Sequence, residues 1–138
     1  MNRKLHAIVL LCCLGASTGV FAAPPAALID RYAAEARAAD PTFTGFSVER
    51  GETLHRTRYG LGKPDTPACT SCHGDDTRGP GKTRTGKAIE PMAASVVATR
   101  YSDPAKVEKW FKRNCTEVLG RECSPREKGD WLAWMTNQ

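Results

Sequence analysis

Cys69-Thr70-Ser71-Cys72-His73 constrains this chain more than any other feature in it. Two thiols three positions apart can each add across a vinyl group of one porphyrin, and C-x-x-C-H is the attachment pattern of a c-type haem. The histidine directly after the second thiol then lies where its imidazole can bind the iron from one side. Cys69 and Cys72 are therefore read as the thioether anchors of one covalent haem c, and His73 as the proximal iron ligand. A dithiol redox site would sit in a thioredoxin-like βαβ context, and no such alternation is written here. A zinc site would need a second ligand pair, and only Cys115 and Cys123 remain to supply one.

Residues 1–22 read as a secretory leader. Arg3 and Lys4 give a positive start, Ala7 to Leu14 an apolar run, and Val20-Phe21-Ala22 a small-residue cleavage site. That run is too short to span a bilayer, and no later segment comes close. Residues 23–138 would then form one soluble monohaem domain, and a haem motif behind a leader points to a bacterial periplasm. The net charge of +5 falls when Arg3 and Lys4 leave with the leader, and again with the haem propionates. Such a mild excess can steer an acidic redox partner. The basic residues are scattered and lack an aromatic platform, which excludes nucleic acid.

Of six cysteines, two lie in the leader and two on the haem. The remaining pair, Cys115 and Cys123, is read as a disulfide in an oxidising compartment, closing a short loop through Gly120. Along the mature chain, Pro25 to Ala39 reads as a helix with Leu28, Tyr32 and Ala36 on one face, stopped by Asp40-Pro41. A second short helix is expected from Ser47 to about Tyr59, and an irregular stretch from Gly74 to Gly86. Asp103-Pro104 starts a helix running to about Asn114, and Ser124-Pro125-Arg126-Glu127 starts another with a capping box. No convincing period-two alternation occurs. The expected fold is all-α, wrapped around the haem.

The iron position opposite His73 decides the function. A methionine there gives a saturated iron suited to electron transfer, whereas an open or weakly held position admits a diatomic gas or peroxide. Met135 reads as core. Met92 follows Pro91 in a loop and is one candidate. Asn114 is the other, sharing a helical face with Val107, Trp110 and Phe111. Burying its amide without a partner would cost about 1–3 kcal/mol. A helix C-cap is the plain alternative for Asn114. Its distance along the chain from His73, and a tethered Cys115 beside it, favour iron. His55 reads as surface or core rather than a ligand. Arg78, Arg84 and Lys87 read as solvated charges that can reach the propionates.

The stretch Val107-Glu108-Lys109-Trp110-Phe111-Lys112-Arg113-Asn114-Cys115, with Gly120-Arg121-Glu122-Cys123 and Glu127-Lys128-Gly129-Asp130, resembles the Sphaeroides haem protein family. So do Gly62-Lys63-Pro64-Asp65-Thr66-Pro67 before the haem motif and Thr83-Arg84-Thr85-Gly86-Lys87 after it. The resemblance covers nearly the whole mature chain. It implies an oxygen-binding monohaem class I cytochrome c, whose oxidised iron carries an asparagine that leaves on reduction, next to a disulfide. By position, His73 would be proximal, Asn114 the labile distal ligand, and Cys115–Cys123 the bridge. One departure is Met92, standing where the family is expected to have a non-ligating apolar residue. It keeps a methionine-ligated state open.

Two classes of function follow from the sequence. One is a redox-gated haem protein that binds O2 or NO and exchanges electrons with a partner cytochrome, dihaem or membrane-linked, with oxidase, peroxidase or nitric-oxide chemistry open to it. The other is a plain electron carrier with His73/Met92 ligation. No general acid–base pair or substrate pocket is identifiable, so no enzyme activity is assigned.

Overall fold

Helices in the second half of the chain, and the short one before the haem motif, begin where a side chain accepts a free backbone N–H. The computed structural model describes residues 25–138; the leader expected at 1–22 lies outside the described residues. Helix α1 spans Pro25–Ala39 and buries Leu28, Tyr32 and Ala36, the stripe expected from their spacing. Helix α2 spans Val48–Arg56, with the Ser47 side chain accepting from the Arg50 N–H at its start. It stops three residues short of the expected Tyr59, because Thr57 turns to an extended conformation at the C-cap. A single turn, α3, covers Thr70–His73.

The stretch expected to be irregular contains a short strand, β1 at Gly81–Lys82, which pairs antiparallel with β2 at Ala88–Ile89 just beyond it, Gly81 opposite Ile89. They do not change the class: the fold is all-α, as expected. Helix α4 spans Pro104–Leu119, capped by Asp103 with proline in its first turn. It runs a full turn beyond the expected Asn114, since Cys115, Val118 and Leu119 continue its buried face. Gly120, at φ 74°, ends it in the left-handed conformation that glycine adopts without strain. Helix α5 spans Pro125–Thr136 behind the expected capping box of Ser124 and Glu127.

The core joins Leu28 and Tyr32 of α1, Leu54 of α2, Val107 and Phe111 of α4, and Trp131, Leu132 and Met135 of α5. Fully burying such a side chain stabilises the fold by about 1.5–3 kcal/mol. Trp110, expected among these, is 43% exposed. The buried stripe of α4 runs through Val107, Phe111, Cys115 and Val118, and Trp110 sits to one side of it under the Arg113 guanidinium. Helix α5 packs against both α1 and α2. Its buried Asp130 binds Arg50 through two bonds of 2.7 Å and accepts the Ser47 N–H at 2.7 Å. A side chain on Gly51 would strike the Asp130 carbonyl, so α2 and α5 cross backbone against backbone. No helix among the described residues is long and apolar enough to cross a membrane.

Candidate haem site

The loop before the haem motif is tied at both ends. Tyr59 N–H donates to the Pro67 carbonyl at 2.7 Å, and Lys63 N–H to the Glu117 carbonyl at 2.7 Å. The second bond satisfies one of the last carbonyls of α4, which a helix cannot satisfy within itself. The chain then winds into α3, where His73 N–H donates to the Cys69 carbonyl at 3.0 Å and Gly74 N–H to Thr70 at 3.0 Å. Residues at i, i+3 and i+4 of a helical turn share a face. Cys69, Cys72 and His73 have that spacing on one wound turn, so two thiols and an imidazole are presented together.

The electrostatics of these groups work against thiol redox chemistry. Both thiols are free. Burial pushes Cys69 up to about 11 and raises Cys72 as well. Reactive dithiols have depressed values instead. Burial pushes His73 down to about 4, so at neutral pH its imidazole is uncharged and able to bind a metal. Its Nδ1 is sealed from solvent and has no hydrogen-bond partner. The bond by which a metal-ligating histidine is ordinarily oriented from its second ring nitrogen is therefore missing among the described residues. Two free thiols and a neutral imidazole on one turn fit a covalent haem.

Asn114 lies in the interior of α4 and is partly buried. It is not the helix cap, because that position belongs to Gly120. Asparagine is a poor helix former away from the ends, so its place here needs a reason other than capping. The neighbouring Cys115 is bonded to Cys123, with their Cα atoms 5.6 Å apart. Met92 is 7% exposed and packs in the core with Tyr101 and Trp131. Its N–H donates to the Thr77 carbonyl at 2.9 Å, and its own carbonyl accepts from the Tyr101 hydroxyl. Arg84 pairs with Asp65, while Arg78 and Lys87 are exposed.

His55 was read only as surface or core, and it is core, with no exposure. Trp131 Nε1 donates to its Nδ1 at 3.2 Å, and its Nε2 lies 3.1 Å from the Gly74 carbonyl. Burial lowers its pKa and favours the neutral ring. Gly51, Leu54 and His55 together form the buried side of α2. That local spacing was the available signal that His55 faces inward.

Comparison with known proteins decides the family. The chain is 50% identical over 114 residues to the cytochrome c-type protein SHP of Cereibacter sphaeroides, covering 83% of this chain and 84% of that one. The chain belongs to the Sphaeroides haem protein family. Residues 41–135 also match a domain of unknown function, DUF1924. A solved structure of oxidised SHP, described as an oxygen-binding cytochrome c, superposes with a TM-score of 0.78. It has 47% identity and covers 84% of this chain and 98% of that one. Oxidised cytochrome c'' from Methylophilus methylotrophus gives a TM-score of 0.73 at 31% identity, covering 83% and 94%. As a member of this family the protein is a monohaem c-type cytochrome, and its cofactor is one covalently bound haem c.

Proposed function

We propose that the protein is an exported monohaem cytochrome whose distal iron position is gated by oxidation state, binding O2 or NO and exchanging electrons with a partner cytochrome. Cys69 and Cys72 hold the haem, His73 is the proximal ligand, and Asn114 is the distal ligand of the oxidised state. The haem supplies a one-electron iron couple and one axial position that a diatomic ligand can take. The observation carrying this reading is the place of Asn114 inside α4, where capping does not account for it. The description of the related SHP as oxygen-binding supports it, as does the haem-ligand detachment described for cytochrome c''.

An amide oxygen is a hard, neutral donor, and it suits ferric iron better than ferrous. For Asn114 to be almost wholly on in one state and off in the other, its hold must differ by about 10⁴-fold, or roughly 5.5 kcal/mol. The Cys115–Cys123 bridge keeps the detached amide close without adding to that difference. A leader at 1–22 would deliver the protein to the periplasm, where the bridge can form. The partner is proposed to be another cytochrome, dihaem or membrane-linked.

Met92 gives the second reading, a His73/Met92 electron carrier. Its side chain packs in the core, and hydrogen bonds hold its backbone on both sides while leaving the sulfur free. Spectra of the purified ferrous protein with and without CO separate the two. Rapid CO binding by a high-spin ferrous protein is expected; a low-spin ferrous protein inert to CO would favour Met92. Denaturing mass spectrometry should retain one haem, and haem lost into acid–acetone would remove the basis of both readings.

A further inference from the structure

His55 is wholly buried in α2, and the proposed function gives it no task. An indole N–H can only donate, so the Trp131 bond makes His55 Nδ1 an acceptor and leaves the ring proton on Nε2. That Nε2–H then donates to the Gly74 carbonyl at 3.1 Å. Gly74 directly follows His73 and ends α3 at φ 71°. The two imidazole rings lie 6.3 Å apart, centroid to centroid.

A metal-ligating histidine is ordinarily oriented by a hydrogen bond from its second ring nitrogen. His73 Nδ1 has no such bond among the described residues. We propose that His55 takes over this work as a positioning residue, fixing the backbone after His73 through the Gly74 carbonyl, with its own orientation set by Trp131. His55 is not itself a ligand in this arrangement, because both of its nitrogens are engaged. An apolar side chain of similar volume would fill the space but would leave the Gly74 carbonyl free to turn. The register of the relay comes from the crossing of α2 and α5, locked by the Arg50–Asp130 pair and the close approach at Gly51. The inference rests on His73 being the proximal ligand.

The test compares holoprotein variants by ferric EPR and reduction potential, with thermal stability followed separately. His55→Leu is expected to broaden the ferric signal and to shift the redox equilibrium about tenfold, which for one electron is about 59 mV. His55→Gln can accept from Trp131 and donate to Gly74, and should restore both readouts. Trp131→Phe removes the donor to His55 together with some core packing, which the stability measurement reports, and should give a smaller shift of the same sign. If His55→Leu lowers stability but leaves the signal and the potential unchanged, or if His55→Gln fails to restore them, His55 only packs the core. Should His55→Leu fail to mature, Trp131→Phe decides on the same two readouts, and an unchanged variant overturns the proposal. His73→Ala, measured alongside, tests ligation itself: an unaltered ferric spectrum there would remove the proximal reading whatever the His55 variants do.

Discussion

Gly62 lies so close to the end of α4 that a side chain on it would strike the carbonyl oxygens of Glu117 and Val118. The loop delivering Cys69, Cys72 and His73 therefore touches, backbone to backbone, the helix carrying Asn114. Lys63 adds a second tie, with Nζ 2.9 Å from Glu117 Oε1. The proximal and proposed distal halves of the site are thus braced against each other outside the iron.

Gly62→Ala should consequently damage both halves. Forcing a methyl group into a closed contact costs about 1–3 kcal/mol. Urea unfolding should show that loss, and the ferric spectrum should change although no ligand has been touched. A variant as stable as the parent would mean the loop can retreat freely.

Asn114→Ala should change the ferric absorption spectrum and leave the ferrous one nearly as before, since on the proposed reading the amide has already left in that state. Met92→Leu should change neither. A low-spin ferrous spectrum that turns high-spin in Met92→Leu would make the protein a methionine-ligated carrier.

Removing the bridge with Cys123→Ser should cost about 2.5 kcal/mol in chain entropy for a loop of this length; the two cysteines are 8 apart in sequence. It should also loosen Asn114, so the ferric spectrum should become a mixture at temperatures where the parent shows one species. Non-reducing peptide mapping checks the bridge directly, and alkylation of both thiols without reduction would show it absent.

Glu127 gives a pH prediction away from the haem. The Arg121 guanidinium binds it at 2.7 and 2.8 Å, and the Ser124 N–H adds a bond of 2.8 Å. Arg121 above all holds its carboxyl below the usual glutamate range. A folded value below the unfolded one contributes stability above the unfolded value, lost as pH falls through the folded one. Denaturation midpoints of Glu127→Gln and the parent should therefore differ at neutral pH, by less than about 1 kcal/mol for so exposed a pair. They should converge as the pH drops below the ordinary glutamate range. A gap that persists in acid would assign the effect to packing.

The parts of this molecule set by near neighbours were readable from the sequence. The turn that presents Cys69, Cys72 and His73 together follows from their spacing, and the caps at Asp103 and Ser124 from a few residues each. The end of α4 was misread because Asn114 has the chemistry of a cap, although Cys115, Val118 and Leu119 carry the helical period past it. Trp110 fits the apolar spacing, yet the centre of the buried stripe lies to one side of it. The contact of His55 with Gly74 was not readable, because it depends on how closely α2 and α5 cross at Gly51 and Asp130. A helix crossing is a property of two distant segments, and no local pattern encodes it.

Helices α1 and α5, which pack together, are the first and last of the described chain. Contacts so far apart in sequence form late, because the chain must close a long loop before they stabilise anything. On the proposed reading, in which the protein is exported and Cys69 and Cys72 hold the haem, both thiols are made before α5, and their surroundings cannot close until that helix docks. Attachment at that turn would then meet an open peptide, with the last helix closing over the haem afterwards.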